Sequence, residues 1–399
     1  TCSQFSGEGT RLTKLREIHY PDSLGLLYST LTAFLGFRVN DDEYKVMGLA
    51  SYGRPTFRPQ MEKLVTLFDD GSFALNLEYF SYMSNSRTMY SEAMTELLGP
   101  PRAVGEPLDQ RHSDIAASLQ AITQDAMIGL ARSWRELTGK RNLCLSGGVA
   151  YNCVANSQII ERSGFDDVFI QPAAGDNGAA LGAALWACHE VYEQPRAHHR
   201  HSTLLGPAFS NDEILQTLNE CGVTFEKLPD DELCRRTARL IYSNLIVGWF
   251  QGRLEFGPRA LGNRSIIANP CSADMKDILN NRVKFREDFR PFAPAVLTES
   301  AAAYFEMKGE SPFMLLTPRV RPQMAAKIPS VTHVDGTARV QTVSKDENPR
   351  FYRLIECFAE LSGVPMIINT SFNIRGEPTV RTPKDAVMCF LGTDIDFLV

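Results

Sequence analysis

The sequence predicts an α/β protein of two domains, residues 1–204 and 205–399, and three observations lead there. Short apolar runs pass at once through glycine turns into helical patterns, as in "LCLSGGVAYNCVANSQII" and "VFIQPAAGDNGAALGAAL". Between Tyr192 and Pro207 the chain turns polar and rich in Pro, Gly and His, the composition of a linker. Beyond it, capped helical patterns alternate with the apolar runs "LIVGWF", "FAPAVL" and "PMIIN". With 399 residues the chain can build two cores of ordinary size.

Taken in order, Pro21 to Phe37 carries apolar residues at helical spacing behind an Asp or Ser cap. Asp41 to Pro55 is charged and punctuated by glycine. A helix starting at the Ser113-Asp114 cap should run to Gly139, where glycine favours a stop. A strand then leads through Ser146-Gly147-Gly148 into a helix, and a second strand, Val168 to Ile170, through Pro172 to Gly178 into a helix of small residues. That helix, Ala-Ala-x-Gly-Ala-Ala, implies a closely packed neighbour. In the second domain "NDEILQTLNECG" and "DDELCRRTARLIYSN" read as capped helices before the strand Leu245 to Phe250.

Composition narrows the function classes. The chain is 44% hydrophobic and 22% charged with a net charge of -6, which argues against a general binder of nucleic acid or anionic membrane and makes any basic feature local. No apolar run approaches the roughly 18–20 residues of a membrane helix, and the first residues lack signal-peptide regions. Nine cysteines show neither a CxxC pair nor zinc spacing; several, Cys144 and Cys153 among them, sit in apolar surroundings, so they are read as reduced thiols of a cytoplasmic protein. "HHRH" at His198 to His201 reads as a solvated linker rather than a metal site.

The chemistry-bearing stretches lie at strand ends. "LSGGVAYN" offers a turn whose Ser146, Gly147, Gly148 and Asn152 could cradle a nucleotide phosphate, or simply make a tight turn. Asp176, in a glycine-flanked loop, suits a helix cap and a metal ligand, two roles that do not exclude each other. "GRLEFGPRALGNRSI" (Gly252 to Ile266) crowds three arginines among three glycines. Taken alone it is either an anion site or a surface loop whose arginines pair with acids such as Glu255. "NNRVKFREDFRPFAPAVL" brings Arg282, Lys284, Arg286 and Arg290; "HVDGTARV" brings Arg339; "PMIINTSFNIRGEPTV" brings Asn369, Ser371, Asn373 and Arg375. Four such loops in one acidic chain favour a focused anion site. No GxSxG, HExxH or spaced Cys/His pair occurs, so electrostatic activation of a phosphate-bearing substrate is expected rather than covalent catalysis.

Six stretches in one order resemble the O-carbamoyltransferases of the nodulation and antibiotic-tailoring type: "PDSLGLLYSTLTAFLGFRVNDDEYKVMGLASYG", "LSGGVAYNCVAN", "GDNGAALGAAL", "GRLEFGPRALGNRSI", "FREDFRPFAPAVL" and "NTSFNIRGEPTV". The resemblance implies a partial actin/Hsp70-like ATPase domain similar to Kae1, then an α/β domain similar to YrdC. It implies that carbamoyl phosphate and ATP form carbamoyl adenylate in the YrdC-like domain, releasing pyrophosphate and phosphate. The Kae1-like domain would then pass the carbamoyl group to a small-molecule hydroxyl and release AMP.

By position, the resemblance assigns Lys284 and Arg286 to the Lys-x-Arg of YrdC proteins and Ser371 and Asn373 to their Ser-x-Asn. Arg259, Arg290, Arg339 and Arg375 become further donor contacts, with the glycines of the arginine loop letting backbone approach the donor. "SGGVAYN" becomes the adenylate turn, and Asp176 a ligand to a divalent transition metal, Fe2+ being the candidate, alongside Mg2+ with the ATP. Members of the family carry an earlier His-x-x-x-His pair and a further Asp that do not occur here, since His19 and His112 have no partner at that spacing. The expectation is therefore a fragment lacking roughly the first quarter to third, three metal ligands included. A role in tRNA threonylcarbamoylation and a non-catalytic nucleotide-binding role are the competing readings; the acidic balance counts against the first and the intact Lys284, Arg286, Ser371 and Asn373 against the second. Neither nucleic acid nor membrane is an expected partner, and assembly of like subunits is left open.

Overall fold

The computed structural model describes residues 1–84, 88–196 and 202–399, which leaves His198 to His201 outside the described residues. The chain divides into two units, Thr1–His199 and Arg200–Val399.

In the first unit a 29-residue helix, Gln110–Thr138, carries the core. Its buried face, including Ile115, Leu119, Ile122 and Met127, packs against helices Glu43–Ala50 and Cys153–Arg162. It begins three residues before the Ser/Asp cap read from the sequence, because Asp109 and His112 form a reciprocal capping box ahead of it. Gly139 ends it in the left-handed conformation, as expected. Ser23 caps Leu24–Phe34, accepting from the Leu26 amide at 3.2 Å. Strands Asn142–Leu145 and Asp167–Ile170 pair in parallel, and an antiparallel hairpin, Cys2–Glu8 with Arg11–Ile18, precedes everything else. The small-residue helix Ala179–Trp186 has no buried residue, so no close neighbour packs on it among the described residues. Cys144 is exposed, unlike the buried Cys153.

The second unit is built on a six-stranded mixed sheet. Across it run Gln341–Val343, Ala293–Leu297, Met366–Ser371, Arg264–Ala268, Val247–Phe250 and Phe397–Leu398. The two outer pairs are parallel and the three inner pairings antiparallel. Successive residues of a strand join opposite cores. Ile267, Ala295 and Ile367 meet Phe351 and Phe358 of helix Pro349–Ser362, while Ile266, Val296 and Ile368 meet Met275, Leu279 and Phe305. Both faces are covered, which is why the strands read as unbroken apolar runs in the sequence.

The arginine-rich stretch Gly252 to Ile266 is largely part of this architecture. Arg264 opens its strand wholly buried, with its guanidinium donating to the carbonyls of Gln251 (2.6 Å), Asn263 (2.9 Å), Gly252 (3.2 Å) and Pro207 (3.4 Å). It lies over the Phe250 ring, 3.7 Å from the centroid. Burial lowers its pKa to about 10, opposed by Glu255, so it stays charged near neutrality. Gly262, at φ 107, lets backbone approach a core ring: a Cβ there would lie 2.3 Å from Phe351. No helix among the described residues is long and apolar enough to cross a membrane.

Arg264→Lys keeps a charge but loses the planar fork that reaches several carbonyls at once. The expected loss is ~3 kcal/mol of unfolding free energy in denaturant titrations, and an unchanged midpoint would contradict this role.

Candidate functional site

Helix Met275–Leu279 runs into a wider turn, Asn280–Lys284, and the chain then reverses at Phe285, whose φ of 45° is uncommon for a residue with a side chain. The reversal leaves Phe285 exposed, Lys284 buried and Arg286 half-buried. Opposite this turn, strand Met366–Ser371 ends and delivers Ser371 and Asn373.

Lys284 Nζ donates to four oxygens of that strand end: the Ser371 carbonyl, Ser371 Oγ (3.4 Å), the Asn373 carbonyl (3.0 Å) and Asn373 Oδ1 (2.9 Å). Ser371 Oγ in turn donates to Asn373 Oδ1 at 2.7 Å, and Asn373 Nδ2 to the Glu377 carbonyl at 2.7 Å. Burial, reinforced by the cations Arg286 and Arg290, holds the Lys284 pKa well below the ordinary lysine value. Arg286 donates Nε to Asn280 Oδ1 (2.7 Å) and Nη2 to the Pro291 carbonyl (3.3 Å), and stacks over Phe292 at 4.4 Å. Arg290 pairs with Glu287 at 3.8 Å. Arg375 donates to the Phe285 carbonyl at 3.2 Å. Lys284, Arg286, Arg290, Ser371, Asn373 and Arg375 thus gather from two loops, and the fixed positive charge they bring together suits an anion.

Arg339 and Arg259 come from two further loops, each half-buried. Arg339 ends a turn closed by His333, whose ring meets Thr337 Oγ1 at 3.2 Å. Burial pushes the His333 pKa down to about 4, Arg339 and Lys276 adding to the effect against Asp335 and the Phe292 backbone. The ring is therefore neutral near pH 7.

Two expectations for the arginine loop need correction. Arg264 is buried and spent on backbone carbonyls, so it is not a donor contact, while the exposed Arg253 donates to the Leu205 carbonyl at 3.1 Å and Arg259 is half-buried. Glu255 pairs with backbone rather than with arginine: its buried Oε1 accepts from the amides of Leu261 (2.7 Å), Asn263 (2.8 Å) and Arg264 (3.3 Å). Asn280, wholly buried and holding Arg286, went unread in the sequence; its only signal is its place one helical turn before Lys284.

In the first unit Ser146, Gly147 and Gly148 form an exposed turn, held where the Gly147 amide donates to the Ala174 carbonyl at 2.7 Å. A Cβ on either glycine would meet nothing within 4 Å. Asn152 lies elsewhere, and this too is a correction. It is buried, caps the following helix through Ala155 N (3.0 Å), and exchanges hydrogen bonds with Gln120 (2.9 and 3.0 Å). Asp176 is exposed at the start of a short turn and caps no helix through its side chain. Among the described residues no group of three potential ligands could hold a metal ion, so these residues do not by themselves make a metal centre.

Comparison with known proteins places the chain. A model of the carbamoyltransferase N-terminus matches residues 1–185, and one of the carbamoyltransferase C-terminus matches 238–399. The uncharacterized protein sll1178 of Synechocystis sp. is 43% identical over all of this chain and 69% of its own length. The chain belongs to the carbamoyltransferase family. Another family relative, nodulation protein NolNO of Sinorhizobium fredii, is 41% identical over 98% of the chain and 57% of its own length. The 3'-hydroxymethylcephem-O-carbamoyltransferase of Streptomyces clavuligerus is 37% identical over 63% of the chain and 46% of its own length. The chain therefore spans from under half to about two thirds of the length of these relatives.

If Lys284 binds the donor as an ammonium, affinity for carbamoyl phosphate should weaken as pH rises through its depressed pKa, below the ordinary lysine range. Lys284→Arg, always charged, should flatten that limb of the KM–pH profile. A profile identical in the variant would count against the assignment.

Proposed function

We propose that this carbamoyltransferase makes carbamoyl adenylate from carbamoyl phosphate, ATP and water, releasing pyrophosphate and phosphate. The carbamoyl group then passes to a hydroxyl of a small molecule, with AMP as the second product. The observation that carries the reading is the convergence of Lys284, Arg286, Arg290 and Arg375 around the Ser371–Asn373 strand end. Family membership and the cephem and nodulation relatives support the direction of transfer.

The physical problem is that two polyanions must meet. Cations fixed before the substrates arrive lower that repulsion without reorganising during the reaction. Lys284 and Arg286 would face the donor phosphate, with Arg259, Arg290, Arg339 and Arg375 sharing the remaining charge, while Ser371 and Asn373 hold Lys284 in place. Mg2+ enters with ATP. In this reading residues 205–399 form the YrdC-like domain and 1–204 the Kae1-like one. There the open Ser146-Gly147-Gly148 turn would take the adenylate phosphate. Asp176 would supply one carboxylate to a divalent metal such as Fe2+, which when bound would polarise the carbamoyl carbonyl; the described residues offer no complete ligand set for it. The enzyme is read as cytoplasmic.

Pyrophosphate release by this chain with ATP and Mg2+ should depend on carbamoyl phosphate. Lys284→Ala should lower it by about a hundredfold or more. Release independent of carbamoyl phosphate would sink the adenylation step.

A further inference from the structure

The loop that carries Arg259 is held from two sides by buried polar groups that the reaction above does not use. From within, Glu255 Oε1 gathers the amides of Leu261, Asn263 and Arg264 and closes the loop on itself. From the sheet, the wholly buried Asn369 donates Nδ2 to the Ala260 carbonyl (3.1 Å) and to Gln341 Oε1 (2.7 Å). Gln341, also buried, donates Nε2 to the Leu261 carbonyl (2.8 Å).

These donations fix both amides. Turned over, Asn369 would set its oxygen against the Ala260 carbonyl, and Gln341 against that of Leu261. Asn369 Oδ1 has no hydrogen-bond partner among the described residues, and a buried acceptor left so costs stability. The arrangement persists because the amide nitrogens hold the loop.

Placement gives the pair its meaning. Asn369 lies two residues before Ser371 on one strand, on the same face of the sheet. Gln341 lies two residues after Arg339 and opens the strand Gln341–Val343. Leu261 packs on Ala293, just past Arg290. Two amides therefore tie together the segments that bear Arg259, Arg339, and Ser371 with Asn373.

We propose that Asn369 and Gln341 are positioning residues, a buried latch that sets the Arg259 loop against the strand end where the donor anion is held. The proposal rests on the donor-site reading above. It adds that Arg259 depends on this latch for its place, and a displacement near 1 Å in a charged contact is enough to cost about a hundredfold.

A double-mutant cycle on the full chain tests it, with carbamoyl phosphate binding read by calorimetry, KM and kcat from pyrophosphate release, and folding from thermal melts. Asn369→Leu removes the latch at similar volume, and Gln341→Met, a milder change, cuts only the link to Leu261. Each is made alone and together with Arg259→Ala. The expected result is that each latch variant weakens carbamoyl phosphate binding about tenfold or more in the native background but less than twofold when Arg259 is already alanine. Equal losses in both backgrounds, or unchanged binding in both latch variants, would overturn the latch while leaving the donor site standing. If Arg259→Ala alone leaves binding unchanged, the assignment of Arg259 falls and the latch falls with it. Should Asn369→Leu fail to fold, the Gln341→Met cycle decides on the same criteria.

Discussion

A lysine side chain taken out of water and handed four oxygens from one strand end is the constraint on which the second unit's site depends. A buried cation is tolerated only where its hydrogen bonds are supplied by fixed partners. Here they come from Ser371 and Asn373, so the strand Met366–Ser371 must end where it does. That strand is central and antiparallel to both neighbours, and its register against Ala293 and Ile267 sets where its end falls. The turn at Phe285 follows from the same need. It lets the chain place Lys284 inward and Arg286 on Asn280 in consecutive steps, at the expense of a left-handed residue that is not glycine.

The cations around this point are not interchangeable. Arg286 is locked between an amide, a carbonyl and an aromatic face, whereas Arg290 is balanced by Glu287 and Arg375 lies exposed. A graded arrangement of this kind suits a polyanion that arrives in parts, one group met by rigid charge and the rest by mobile charge. Its neutral His333 neighbour fits the same logic, since another positive charge beside Arg339 would add repulsion without adding a phosphate contact.

How much of this was legible in the sequence depended on how local each signal was. "LIVGWF" and "FAPAVL" announced their strands because both faces of the sheet are covered, though the strands start at Val247 and Ala293 rather than at Leu245 and Phe292. Gly139 announced a helix end because the left-handed cap is a single-residue preference. Lys284, Arg286, Ser371 and Asn373 were named together from a resemblance; their contact joins residues some ninety positions apart, which no local pattern encodes. Asn152 misled for the opposite reason: its place after a glycine turn suits a ligand, but a partner distant in sequence, Gln120, takes its amide. The first hairpin was missed altogether, because "CSQFSGE" has none of the β-branched density that marks a strand.

Arginine in a glycine-rich loop is the signal that most needed the structure to resolve, and the two units resolve it alike. In the first unit the buried Arg102 donates to the carbonyls of Leu35 (2.6 Å), Gly36 (3.3 Å) and Glu106, with Phe37 beneath it at 4.8 Å. Arg264 does the same over Phe250. In both, a guanidinium replaces water for several turn carbonyls at once, and an aromatic face covers the side that needs no hydrogen bond. Five donors in one plane let arginine reach carbonyls spread around a turn, whereas Lys284 serves several oxygens only because one strand end presents them around a single point. A loop can therefore be rich in arginine because its own backbone needs donors, before any ligand is considered. What separates the two uses is where the loop's carbonyls are satisfied. Arg264 is committed to the carbonyls of Gln251, Gly252, Asn263 and Pro207, whereas the carbonyls next to Arg259, those of Ala260 and Leu261, are taken by Asn369 and Gln341. Around Arg259 the backbone draws its donors from the sheet, so these two arginines of the loop sit in different settings, one built into the turn's hydrogen bonding and one beside a turn that buried amides hold.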